Sequence, residues 1–80
     1  MKLPRDISGA ELARAPKKLG YQIIRQTESH LRLTTNENGQ HHVTIPNHPS
    51  IKVGTLAGIL GDVAAHFQIT RDELLQRLFG

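Results

Sequence analysis

The sequence contains no cysteine and no tryptophan, and its aromatic residues are one tyrosine and two phenylalanines. Without cysteine, a disulfide framework and thiolate ligation of a metal are both excluded, so packing and backbone hydrogen bonds must stabilise the fold. The core must be built mainly from leucine, isoleucine, valine and alanine. With 80 residues, of which 38% are hydrophobic and 21% are charged, the chain is expected to form one folded domain over residues 1–80.

Long apolar runs are absent as well. No stretch approaches the roughly 18 apolar residues of a membrane span, and the amino-terminal MKLPRDISG has charges and a proline where a signal peptide needs an unbroken apolar segment. We therefore expect a cytoplasmic protein with no membrane partner. Ten lysines and arginines against seven aspartates and glutamates give a net charge of +3, which suits an anionic partner such as RNA.

A first helix is predicted over residues 9–19. Ser8 and Glu11 have the spacing of a capping box, in which each side chain binds the backbone N–H of the other residue, and Gly20 supplies a stop. Pro16 lies inside this segment, and an interior proline removes a hydrogen bond and crowds the preceding turn. We therefore expect a kink or a break near Ala15.

Three strands are predicted next, in YQIIRQ, SHLRLTT and QHHVTIP. The last two alternate apolar and polar residues, which is typical of strands with one buried face. They therefore predict a three-stranded antiparallel sheet. One face is apolar, and the other, which we call the open face, carries the polar residues His30, Arg32, Thr34, His42 and Thr44.

Two more helices follow a loop that is punctuated by prolines. TLAGILGDVAAHF has apolar residues at helical intervals with Thr55 as its predicted cap, and TRDELLQRLF repeats the capping pattern with Thr70 and Glu73. The predicted fold class is therefore α+β, in the order helix, three-stranded antiparallel sheet, helix and short carboxyl-terminal helix.

Three stretches carry a resemblance to a known family: SGAELARAPKKLGYQIIRQTESH, HHVTIPNHPSIKVGTLAGIL and ITRDELL. Over nearly its whole length the chain resembles the HicA toxins, which are small bacterial and archaeal mRNA interferases with a double-stranded-RNA-binding-domain-like fold. The resemblance implies that His30 is catalytic, that mRNA is the substrate, that no cofactor is needed and that a HicB-type antitoxin is the partner. It also implies that His48 and the helix start at residues 54–56 recur in this fold. Glu28 stands where the family pattern has a glycine.

The residues themselves are compatible with this chemistry. RNA carries its own nucleophile in the 2′-hydroxyl, so cleavage needs only a base and an acid, and imidazole can serve as either near neutral pH. The second proton-transfer group is left open between His42, on a neighbouring strand, and His48, in the following loop. His41 and His42 point to opposite faces of one strand, so no metal site is predicted there.

Four further residues are candidates for binding RNA. Arg25 and Arg32 could stabilise negative charge on phosphorus, and Lys52 and Thr55 lie by a helix start, where free N–H groups favour phosphate. Solvated arginines and a simple helix cap would explain the same residues.

Two other functions stay open from the sequence alone. The chain could be an RNA-binding module without catalysis, or an inactivated toxin that is kept as a partner for its antitoxin. The oligomeric state is also open from the sequence, between a homodimer and a hetero-oligomer with the antitoxin. If the strand of His30 extends back to Glu28, both side chains lie on one face.

Overall fold

The computed structural model describes residues 3–80 as one layer of helices packed on a three-stranded sheet. The elements, in chain order, are α1 (Gly9–Arg14), a 3-10 helix (Ala15–Leu19), β1 (Gln22–Gln26), β2 (His30–Thr35), β3 (His41–Pro46), α2 (Val53–Phe67) and α3 (Arg71–Phe79). The predicted α+β fold class and its order of elements are confirmed.

The first helical segment is divided near Ala15, as the presence of Pro16 led us to expect. The capping box is present, because Ser8 Oγ accepts from Glu11 N at 3.1 Å and Glu11 Oε1 accepts from Ser8 N at 3.2 Å. The hydrogen bond from Ser8 N, followed by that from the Ser8 side chain, favours the carboxylate and lowers the pKa of Glu11. The α-helix ends at Arg14, and the chain continues as the 3-10 helix with Pro16 in its first turn. In a first turn the N–H that proline lacks would have no partner within the helix, so no hydrogen bond is lost.

The sheet has the strand order β1-β2-β3, with both pairs antiparallel. Leu31 and Leu33 of β2 and Val43 and Ile45 of β3 are buried, as their alternation predicted. A β-bulge interrupts β1 between Ile23 and Arg25, and local pattern had given no sign of it. The bulge places Arg25 opposite Arg32, so Arg25 joins the open face.

The second helix begins two residues before its predicted cap. Lys52 occupies the N-cap position with no side-chain cap hydrogen bond, and Thr55 lies inside the first turn of α2. The assignment of Thr55 as the cap is therefore wrong, because the chain already turns helical at Val53. In α3 the prediction is confirmed, since Thr70 Oγ1 accepts from Glu73 N at 3.1 Å.

The core lies between the apolar face of the sheet and the helices. Its fully buried residues include Leu12 of α1, Leu33 and Ile45 of the sheet, Leu56 and Leu60 of α2, and Leu74 and Leu75 of α3. Among residues 3–80 there is no helix whose length and hydropathy would let it cross a membrane.

A polar contact joins the sheet to α2 at the end remote from His30. Tyr21 is 1% exposed, and its hydroxyl bonds to Nδ1 of His41 at 2.6 Å. The other ring nitrogen of His41 lies 3.5 Å from the carboxylate of Asp62 on α2. The ring of His41 also stacks on His66, with centroids 4.4 Å apart. Burial, and then the negative charge of Asp62, raise the pKa of Tyr21 to about 12.

Candidate active site

The turn between β1 and β2 fixes the backbone of His30. The hydroxyl of Thr27 accepts from His30 N at 3.0 Å and from Ser29 N at 3.3 Å, and Thr27 N donates to His30 O at 2.9 Å. His30 is the first residue of β2, and it is exposed. No residue of the described chain hydrogen-bonds its ring. The backbone of His30 is therefore fixed by hydrogen bonds with Thr27, while its imidazole is exposed.

The segment after β3 supports the same turn from the other side. His30 lies opposite Pro46, and the next residue, Asn47, donates from its backbone N to Ser29 O at 2.8 Å. The side chain of Asn47 donates to Thr27 O at 3.2 Å. The sequence analysis assigned no role in the site to Thr27 or Asn47. A threonine two and three residues before the N–H groups of Ser29 and His30 is a recognisable turn signal, so Thr27 could have been identified from the sequence. The contact of Asn47 with Thr27 spans 20 residues, and no local pattern indicates it.

The start of α1 packs against this segment. Gly9 N donates to His48 O at 2.9 Å, and a Cβ atom on Gly9 would come within 2.1 Å of the carbonyl oxygen of Pro46. Any other residue here would push the helix away from the loop. The capped start of α1 thus fixes the backbone at His48, one residue beyond Asn47.

The two candidates for the second proton-transfer group, His42 and His48, differ in how close their backbones lie to His30. His42 is opposite Thr34 and bonds to its hydroxyl through Nδ1. It is therefore four positions along the sheet from His30, or about 13 Å at the usual rise of a strand. His48 is exposed and follows directly on the Asn47 contact with the His30 turn. The backbone thus brings His48 towards the His30 end of the sheet and leaves His42 away from it.

Two arginines meet on the open face in a direct cross-strand pair. Arg25 and Arg32 lie opposite each other, both are exposed, and neither forms an ion pair within residues 3–80. Like charges in this arrangement destabilise a sheet unless an anion lies between or above them. The open face therefore has two guanidinium groups that are suited to phosphate, two residues along β2 from His30.

The remaining RNA-binding candidates lie at the start of α2. Lys52 lines a groove together with Arg5 and Arg71, and Asp6 is the acidic residue in the same lining. Thr55 lies in the first turn of α2, and it lines a different groove, beside β3. Lys52 and Thr55 thus line different grooves at the start of α2.

The expected alignment of Glu28 with His30 is absent. β2 begins at His30, so Glu28 lies in the turn, and strand spacing does not put the two side chains on one face. Glu28 is exposed.

No group of three or more histidine, aspartate or glutamate side chains within residues 3–80 is arranged to hold a metal ion. His41 is partly buried against Tyr21 and Asp62, while His42 is exposed on the open face.

The model of the family described as HicA toxin of bacterial toxin-antitoxin matches residues 9–64. The chain belongs to the HicA toxin family. No curated protein and no solved structure matches it. The part that matches the HicA model runs from α1 into α2, so it includes the whole sheet, the His30 turn and the segment after β3. The chain is therefore a toxin-antitoxin component, and the resemblance inferred from its motifs is confirmed.

Proposed function

We propose that this HicA toxin is an endoribonuclease that cleaves mRNA in the cytoplasm and uses His30 to transfer a proton. The observation that carries the proposal is an exposed imidazole on a backbone that Thr27 and Asn47 hold rigidly, beside unpaired guanidinium groups. A catalytic group must be held in place before the substrate arrives, and these contacts supply that preorganisation.

The chemistry follows from the substrate and the site together. The 2′-hydroxyl of RNA attacks the adjacent phosphorus, a base removes its proton, and an acid protonates the departing 5′-oxygen. The ring of His30 can perform either proton transfer, and we assign the complementary role to His48 because the backbone brings it to the same end of the sheet. Arg25 and Arg32 stabilise the added negative charge on phosphorus. This reaction uses no metal and no cofactor.

The test compares two histidines of the open face. His30→Ala should lower the rate of cleavage of a labelled mRNA by about 100-fold or more, while RNA affinity and melting temperature stay close to those of the parent. His42→Ala is the matched control, since it removes an exposed histidine of the same face that lies away from the His30 turn.

Cleavage is followed in the presence of a chelator, and the control variant should keep most of the activity. A His30→Ala protein that cleaves at the parent rate would contradict the assignment. RNA binding without any cleavage by the parent would instead favour a binding module.

A further inference from the structure

The two outer strands of the sheet differ in how their free edges are protected. β1 has the bulge between Ile23 and Arg25 and a charged side chain, which are two ways in which natural sheets prevent a further strand from pairing. β3 has neither. Its register with β2 is unbroken from His41 to Pro46, and it contains no lysine, arginine, aspartate or glutamate. The edge of β3 is thus regular and open to pairing.

The backbone N–H groups that point outward from β3 are those of His42 and Thr44, since Pro46, the third outward residue, has no N–H. Asn47 N donates to Ser29 O, and bonded and non-bonded pairs alternate in an antiparallel ladder. Ile45, Val43 and His41 therefore bond to β2, and the two residues between them turn their N–H and C=O groups away from it. No turn or loop within residues 3–80 donates a backbone hydrogen bond to these groups.

A groove runs along this edge, between β3 and α2. It is lined by Val43 and Thr44 on the strand side, and on the helix side by Thr55, Gly58, Ile59, Gly61, Asp62 and Ala65. A Cβ atom on either glycine would meet nothing within 4 Å, so packing within the chain does not require glycine at these positions. Glycine inside a helix is destabilising relative to alanine. The two glycines keep space open beside an unpaired strand edge.

We propose that an extended segment of the antitoxin adds to the β3 edge as a fourth strand. The segment hydrogen-bonds to His42 and Thr44, and its residue opposite Val43 points into the groove over Gly58 and Gly61. Because Ile59 and Val43 line that groove, an apolar side chain fits there. Recognition of this kind takes affinity from main-chain hydrogen bonds and specificity from a side-chain pocket.

The charge of the chain disfavours a second copy of the toxin, because two copies at +3 repel each other. The protein partner that a toxin-antitoxin family implies is the antitoxin. The inference rests on the toxin-antitoxin part of the proposed function. It does not rest on cleavage, and its tests measure binding only, so failure of the nuclease assignment would leave it standing.

The first experiment measures amide hydrogen exchange on the chain alone and with its cognate antitoxin. In the complex, the exchange rates of the His42 and Thr44 amides should fall by about tenfold or more, because both amides become hydrogen-bonded. The amides of Ile23 and Gln26 on the β1 edge should change little.

Three outcomes would overturn the proposal. Protection of the β1 edge in place of β3 would move the interface. Concentration-dependent protection of His42 and Thr44 in the chain alone would make a second copy the occupant. Protection of the same amides by a labelled RNA, with no effect of the antitoxin, would make the edge a nucleic-acid surface.

The second experiment uses two substitutions in the same helix. Gly58→Gln fills the groove and should weaken antitoxin binding about tenfold or more, and Gly54→Gln should leave it nearly unchanged, because Gly54 is equally open but does not line the groove. Both variants replace glycine by a better helix former and should fold.

Thr44→Pro gives an independent check, since it removes only an outward N–H of an edge strand, a position where proline is tolerated. Gln26→Pro makes the same change at the β1 edge. If Gly58→Gln and Thr44→Pro both bind the antitoxin as tightly as the parent does, the proposal is overturned.

Discussion

At the scale of the residue, Tyr21 shows how burial sets the chemistry of one side chain. Its ring is enclosed by the core, in edge contact with Phe67, and its hydroxyl satisfies His41. An ionised phenol at this site would lose hydration and would face the carboxylate of Asp62, so the pKa of Tyr21 is raised to about 12. The neutral form is thus the one that the fold favours.

This shift predicts a loss of stability at high pH. Below pH 10 the phenol is protonated in both states and the free energy of unfolding does not depend on it. Between about 10, where the unfolded chain ionises, and about 12, where the folded chain does, the unfolded state binds fewer protons. The free energy of unfolding should therefore fall as pH rises through this range.

The measurement is chemical denaturation of the parent and of Tyr21→Phe from pH 8 to 12. The variant should be less stable by about 1 kcal/mol near pH 8, from the lost hydrogen bond, and the difference should shrink above pH 10. A difference that stays constant with pH would contradict the shift.

At the scale of the element, Pro16 joins an α-helix to a 3-10 helix. The residue is buried, it occupies the first turn of the 3-10 segment, and its carbonyl accepts from Tyr21 N at 3.3 Å. Proline suits a first turn because its fixed φ is already helical and its missing N–H is not needed. The residue that broke the helical pattern therefore stabilises the connection into β1.

Pro16→Leu should lower the free energy of unfolding by about 1–3 kcal/mol, because a larger side chain must enter a packed site and the unfolded chain gains freedom. Pro49→Leu is the matched control, since Pro49 is exposed in a loop and the same change there alters only the freedom of the unfolded chain. Urea denaturation of both variants measures the difference. Greater stability of Pro16→Leu than of the parent would mean that the proline strains the segment.

The elements also show which features a sequence can predict. The alternation of Leu31 and Leu33 identified a strand and its buried face, because strand periodicity is a property of neighbouring residues. The capping box of Ser8 and Glu11 is similarly local. The bulge at residues 23–25 and the start of α2 at Val53 depend on packing against other segments, and no local pattern indicated them.

The candidate site divides in the same way. His30 could be selected from a family motif, whereas the residues that hold it act over long separations. Asn47 bonds to Thr27 across 20 residues, and Gly9 is required by the distant carbonyl of Pro46. Strand register sets how far His42 lies from His30, and register is not encoded in either strand alone.

At the scale of the whole molecule, five of the ten lysines and arginines lie on two surfaces. Arg25 and Arg32 lie on the open face of the sheet, and Arg5, Lys52 and Arg71 surround the groove at the start of α2 and α3. The positive charges on these two surfaces could contact a polyanion. Lysine and arginine bind such a chain largely by releasing its condensed counterions.

RNA binding should consequently weaken as salt rises, with the logarithm of the association constant falling linearly against the logarithm of salt concentration. Replacing Arg32 with glutamine should reduce the magnitude of that slope by about 0.7, the contribution of one phosphate of a single strand. Arg77→Gln is the control, because Arg77 is an exposed arginine of α3 that already has an ion pair with Glu73. Fluorescence anisotropy with a labelled 2′-O-methyl RNA oligonucleotide, which cannot be cleaved by attack of its 2′-oxygen, gives all three slopes at several salt concentrations. Affinity that does not change with salt would rule out phosphate contacts as the basis of binding, and equal slopes for the parent and Arg32→Gln would remove Arg32 from the RNA-binding surface.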